Sequence, residues 1–354
     1  MLYSIRNEEK KYSDKSDVAE IVKDLSLNPH RITELDFTSN VFKPVALAEI
    51  CKCIEKMDNL TTVIFDEIFT TLVKEDMLKC FKMISKALMG KKIEHLDLSN
   101  NALSAELPQE FIDLLMSLDT LKYFNIRNCG LGLLGGDKLG ECFLNFKSKH
   151  CLEYVDLAQN RFFKFPQVLS QGIKALDNIK TLHLEFNTIE KDTMSDFLGV
   201  LADKPIEILD IRDNFLNMEG CKTLGRLFSS LDFKELLIGD CLMHDEGVKM
   251  FLKHASTRRI SLGLPGDIEA CEYCSVLDLS YNDFEQDCVE LLVDFCGKYQ
   301  IGKLLINGNF FDEIDSLKVA MEKYGGLLVT EDEAIEVPNK SDIDDSLVGM
   351  VSNL

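Results

Sequence analysis

The stretch from Ile93 to Leu103 reads Ile-Glu-His-Leu-Asp-Leu-Ser-Asn-Asn-Ala-Leu, with apolar residues at its first, fourth and sixth positions and Asn at its ninth. Those apolar side chains face one way from a short strand and the turn leading into it. The ninth-position Asn turns the chain, and its amide can bond backbone groups that the turn leaves open. A buried group that loses such a partner costs roughly 1–3 kcal/mol. The register recurs ten times, starting at Ile32, Leu60, Ile93, Leu121, Leu152, Ile179, Ile206, Phe233, Cys274 and Ile301. The ninth position then holds Asn40, Asn101, Cys129, Asn160, Asn187, Asn214, Cys241, Asn282 and Asn309, and only the second repeat departs, with Ile68.

Successive starts are 28, 33, 28, 31, 27, 27, 27, 41 and 27 residues apart. Units of this pattern and length are leucine-rich repeats, each burying its apolar face only against its neighbours. The second half of each unit reads as helix, as in Val45–Cys51, Glu110–Leu115 and Cys288–Val293. The expected fold is therefore α/β, a solenoid or horseshoe with a parallel sheet on the concave face and helices on the convex face. Pro44, Pro108 and Pro166 follow strands, where a helix's first turn accepts proline.

Residues 1–31 read as an N-terminal cap, because Val18, Ile21, Val22 and Leu25 share one helical face and can close the first repeat's open apolar end. Residues 32–326 are the repeat domain, and 327–354 an acidic tail expected to be disordered. Two units are long. The second is expected to hold about five extra residues around Asp66 to Glu75, between strand and helix. The eighth holds Thr257-Arg258-Arg259 and Gly263-Leu264-Pro265-Gly266, an expected excursion beyond its helix.

A formal charge of −21 argues against nucleic acid, whose binding rests on Lys and Arg neutralising phosphates, and favours partners with basic surfaces. Asp36, Asp97, Asp156, Asp210 and Asp278 recur at the fifth position, with Glu34, Glu94, Glu153, Glu207 and Glu235 beside them. This carboxylate ladder is expected to make the concave face acidic. No apolar run reaches the 18 or so residues of a membrane span, and Met1 to Lys15 has no apolar core of a secretory signal. The cysteines, twelve in number and without disulfide-scaffold spacing, suggest buried thiols in a reducing compartment, cytosol or nucleus.

Catalytic constellations are thin. His95 with Asp97, and Glu207 with Asp210, share strands but have no nucleophile at a fixed offset. Cys271 and Cys274 form a lone C-x-x-C, short of the four ligands of a structural zinc site. Gly130, Gly132, Gly135 and Gly136 lack the context of a phosphate loop. His183 reads as a strand-face residue rather than a ligand, and no metal site is expected.

Particular stretches resemble the Ran GTPase-activating protein family. Phe65-Asp-Glu-Ile-Phe-Thr-Thr-Leu-Val-Lys74 is similar to the family's F-S-D-I-F-T-G-R-V-K, and Arg127-Asn128-Cys129-Gly130-Leu131-Gly132 to its H-N-N-G-L-G. Asp213-Asn214, Asp240-Cys241-Leu242, Tyr281-Asn282 and Asn307-Gly308-Asn309 fall where the family shows D-N, D-C-L, Y-N and N-G-N. The resemblance runs in order from about residue 4 to 325. It implies that the horseshoe docks on the small GTPase Ran and makes it hydrolyse GTP, with no active site of its own. Asn128 matches the Asn that positions the GTPase's glutamine, and Lys74 a lysine that pairs with the GTPase. Asp66, Asp213 and Asp240 are the further partner-binding candidates. GTP and Mg2+ would stay on the partner, so no cofactor is expected. The implied partners are Ran-GTP and an accessory Ran-binding protein, and the implied place is the cytoplasm near the nuclear envelope, with the protein a monomer.

Two departures stand out. Leu72 and Thr71 replace the family's Arg and Gly, and Asn100 stands where the family has Asp. Were that Arg an inserted finger, its loss would cost roughly 10³–10⁵ in rate. In this family the Asn and the GTPase's own groups are read as doing the placing instead. Two other readings remain open: a catalytically silent scaffold that binds through its acidic concave face, and a horseshoe resembling ribonuclease inhibitors. The spacing of 27 to 41 fits the last poorly, since those proteins alternate regular units.

Overall fold

The computed structural model describes residues 1–255 and 273–332. Twelve strands of the described residues form one sheet in sequence order, every pair parallel. Register is kept at position 3 throughout: Thr62 pairs with His95, His95 with Tyr123, Tyr123 with Tyr154 and Tyr154 with Thr181. Most repeat strands are three residues long, because only positions 3 to 5 run extended before the turn. Positions 1, 4 and 6 are buried in stacked rows; Leu96, Phe124, Val155, Leu182 and Leu209 are each no more than 1% exposed. The helices stack against one another behind the sheet, so the core lies between strand row and helix row. This is a leucine-rich repeat solenoid.

The array is longer at both ends than its ten sequence units. Leu2–Ser4 adds a strand on the first repeat, pairing with Glu34–Asp36, before the cap helix Ala19–Leu27. The N-terminal cap is thus a degenerate unit with its own strand. Leu327–Val329 pairs with Lys303–Leu305 as a twelfth strand, so ladder pairing continues past residue 326 into the expected tail. Backbone pairing needs no particular side chain, which is why the consensus missed both strands.

The length of the second repeat is spread out. Compared with the seventh (strand Ile208–Asp210, helix Met218–Ser230), its strand Thr62–Ile64 and helix Lys74–Leu88 leave two extra residues each in the loop, the helix and the return turn. The expected insertion is therefore not confined to Asp66–Glu75, and Lys74 opens a helix. The excursion expected in the eighth repeat lies outside the described residues. Pro44 is the first residue of its helix, while Pro108 and Pro166 sit one place earlier, as caps.

Gly135, Gly136 and Gly140 of the fourth repeat serve packing, while Gly130 and Gly132 take positive φ in the turn. A Cβ on Gly140 would sit 2.3 Å from the backbone nitrogen of Leu169, so the helices Gly132–Leu144 and Gln167–Lys174 touch backbone to backbone. Among the described cysteines, ten are buried and Cys151 is half-buried, all as free thiols. Cys274 is one of the buried ten; its C-x-x-C partner Cys271 lies outside the described residues.

Candidate functional site

The ninth-position Asn residues are a buried ladder. Asn160 donates to the carbonyls of Ile126, Leu157 and Ala158, and its oxygen accepts from the backbone of Cys129. Where Cys replaces Asn the thiol keeps the donor half of this role: Cys129 Sγ donates to Leu98 and Cys241 Sγ to Ile211 across a repeat boundary. Ile68 gives up these bonds and is fully buried as an apolar residue.

The eighth position, just before the ladder, turns the chain outward. In all ten repeats its φ is positive, between 52° and 70°, from Ser39 to Gly308. In the first nine repeats this residue also donates its N–H to the seventh-position carbonyl of the next unit, as Asn100 does to Arg127 and Asn128 to Ala158, both at 2.9 Å. A left-handed residue here throws its side chain onto the rim where strands end and helix loops begin. Asn and Asp adopt this conformation more easily than other side chains.

On that rim the sequence-picked residues meet. Asn128 is exposed, and its Nδ2 donates to Asn100 Oδ1 at 2.9 Å. Asn100 Nδ2 donates in turn to Asp66 Oδ1, also at 2.9 Å. Three successive repeats thus form one chain, Asp66–Asn100–Asn128, that points the terminal amide. Burial pushes the Asp66 carboxyl above its usual range, more than the hydrogen bond from Asn100 lowers it. Thr70, Ser104, Gly130 and Arg161 join Asn100 and Asn128 around a shallow depression of about 370 Å³. Arg161 is exposed there at a positive φ of 58°, and sequence reasoning passed over it. Its tenth-position place in the fifth repeat, beside the ridge, was the signal available.

Lys74 is exposed at the helix start, paired with Glu106 at 2.6 Å. Such an exposed pair is worth little and yields to a competing partner. Leu72 packs its half-buried side chain against the core, so it anchors the loop that carries Thr70. Asp213 and Asp240 occupy the eighth position of the seventh and eighth repeats. They neighbour each other on the same ridge, and Asp213 is held above its usual range by burial and then by Asp240. They do not join the Asn128 chain: three repeats at about 4.8 Å separate Asp213 from it by roughly 14 Å.

The fifth-position carboxylates behave differently from the expected acidic surface. Asp36, Asp156, Asp210 and Asp278 are buried, and each accepts the backbone N–H two residues on. They close the turn after the strand. The second-position glutamates are neutralised by lysines of the next unit, Glu94 by Lys122, Glu153 by Lys180 and Glu207 by Lys234. What faces the hollow is a stack of His95, Tyr123 and Tyr154, with ring centroids 3.9 and 4.0 Å apart. Beyond them the half-buried Arg127, His183 and Arg212 form an ionic network with the buried Glu185 and Asp210.

A sequence profile described as Leucine Rich Repeat matches residues 92–114, the third repeat. No match to a curated protein is found. Similar solved structures include an internalin from Listeria monocytogenes, 14% identical, covering 86% of this chain and 81% of that one at a TM-score of 0.44. The TLR13–ssRNA13 complex is another, 15% identical, covering 84% of this chain and 41% of that one at a TM-score of 0.40. No helix among the described residues is long and apolar enough to cross a membrane.

Proposed function

We propose that this leucine-rich repeat protein is a GTPase-activating protein for Ran, acting in the cytoplasm on nucleocytoplasmic transport. The observation that carries the reading is the state of Asn128. Asn128 shares the left-handed turn of every eighth position, whereas a ladder Asn would be buried with its amide spent on backbone groups. Here Cys129 and Asn160 fill that role, and Asn128 stands exposed on the rim, oriented by Asn100 and Asp66.

Phosphoryl transfer to water needs the water placed and the phosphate charge stabilised, and little covalent chemistry. The proposed division of labour leaves GTP and Mg2+ on the GTPase. Asn128 Nδ2 is occupied by Asn100, so its Oδ1 accepts from the amide of the GTPase's catalytic glutamine and turns that side chain toward the water. Fixing one rotor in place lowers the ordering cost at the transition state. Lys74 exchanges Glu106 for an acidic group of the GTPase, and Arg161 lies at the same depression to meet negative charge. Asp213 and Asp240 contact a basic patch further along the ridge.

Leu72, packed on the core where the family has Arg, favours the second reading: a scaffold that binds the GTPase without stimulating it. Single-turnover hydrolysis of GTP on Ran, with and without this protein, separates the two. Acceleration that is lost in Asn128→Ala with binding retained supports the activator. Binding without acceleration sinks it and leaves the scaffold.

A further inference from the structure

The hollow of the horseshoe holds a constellation that the rim chemistry does not use. His183 is the last residue of its strand, Glu185 lies two residues on, and Asp210 ends the neighbouring strand. One ligand atom from each lies within 4.8 Å of the other two. His183 Nδ1 is 3.6 Å from Glu185 Oε2 and 3.9 Å from Asp210 Oδ2. Glu185 is 3% exposed, yet its Oε2 has no hydrogen-bond partner while facing that imidazole. An orphaned carboxylate oxygen at such depth is costly unless something completes it.

We propose that His183, Glu185 and Asp210 bind a divalent transition-metal cation, zinc above all. One nitrogen and two carboxylate oxygens with an open fourth position is a ligand set that zinc accepts. A nitrogen ligand and the small ligand count disfavour Mg2+ and Ca2+, which take six or more oxygens. Tetrahedral ligands at about 2.0–2.2 Å from zinc lie roughly 3.4 Å apart, so His183 Nδ1 closes on each carboxylate by a few tenths of an ångström and the two carboxylate oxygens, within 4.8 Å, by about 1 Å.

The surroundings hold the ligands. Arg127 pairs with the other oxygen of Glu185, and Arg212 grips Asp210 through Nε and Nη2, with Nη2 2.6 Å from Oδ2. Such outer contacts fix the direction of ligating carboxylates. The two guanidinium groups do not cancel the site. Asp156, Glu185, Asp210 and Asp278 stand around Arg127 and Arg212, leaving two negative charges once an incoming metal has displaced the proton from His183. A divalent cation balances them. His183 is partly open to the hollow, which provides the approach.

The test uses the full chain, stripped with EDTA, reduced, and titrated with zinc chloride by calorimetry. One site of micromolar affinity or tighter is expected, weakened at least tenfold in both Glu185→Gln and His183→Gln. Cobalt(II) bound there should show ligand-field bands with no thiolate charge-transfer band. Absence of binding overturns the proposal, as does unchanged affinity in the variants or a thiolate band that puts the metal on cysteine. Should Glu185→Gln fail to fold by circular dichroism, His183→Gln decides alone. No GTPase enters the assay, so the result is independent of the proposed function.

Discussion

Asn128 and Asn100 are bonded amide to amide across a repeat boundary, Nδ2 to Oδ1 at 2.9 Å. Asn100 is therefore a positioning residue in the proposed mechanism. Asn100→Ala is expected to slow stimulated hydrolysis about tenfold, equivalent to about 1.4 kcal/mol, with affinity for the GTPase little changed. Asn100→Asp, the resembled family's residue, keeps the acceptor for Asn128 but loses the donor to Asp66 and sets two carboxylates together, so it should restore only part of the rate. An Asn100→Ala protein as fast as the parent would remove the positioning role.

Asn214 is the opposite case. It is fully buried, donates to the carbonyls of Leu184, Ile211 and Arg212, and accepts from the backbone of Ile189 at 2.9 Å. Alanine there orphans several buried groups. A loss of roughly 1–3 kcal/mol is expected in urea unfolding, or more if none can relax to water. Asn128→Ala, exposed beside a ladder filled by Cys129, should unfold like the parent. Equal midpoints for all three proteins would contradict the ladder.

The repeat register was legible because burial at positions 1, 4 and 6 and the Asn ladder demand particular residue types. The rim place of Asn128 followed from the register, which puts Cys129 at the ladder position, whereas its proposed role came only through the family resemblance. The acidic ladder misled for a physical reason: a carboxylate two residues before a turn serves that turn's N–H equally well as it serves a partner, as Asp156 does for Ala158. The His183, Glu185 and Asp210 cluster stayed hidden because it spans two strands. Each unit shows an ordinary charge pattern until parallel pairing sets His183 one strand away from Asp210.

Gly140 is where helix packing in the fourth and fifth repeats is tightest. A Cβ there would fall 2.3 Å from Leu169 N and 2.4 Å from Val168 O, both backbone atoms that cannot rotate away. Alanine normally favours a helix over glycine by about 1 kcal/mol. Here overpacking should reverse that sign, at a cost of about 1–3 kcal/mol. Thermal unfolding of Gly140→Ala measures it; a raised melting temperature would show that the two helices can part without loss.

His183 makes stability depend on pH in a calculable direction. Burial opposes its charged form, but Asp210 and Glu185, with Asp156 nearby, outweigh it and raise its pKa to about 9. The unfolded value is near 6.5, so the folded chain holds the extra proton between them. The stabilisation is complete below about 6.5 and is lost as pH rises through 9. From pH 6.5 to 8 the unfolding free energy should fall by about 2 kcal/mol. Asp156, raised by burial to about 6, titrates mostly below this window. Buried thiols such as Cys51, pushed up to about 12, begin to matter only above it. Urea unfolding in EDTA and reductant should therefore show a slope in the parent that His183→Gln lacks, and parallel curves would mean that His183 is neutral in the folded protein.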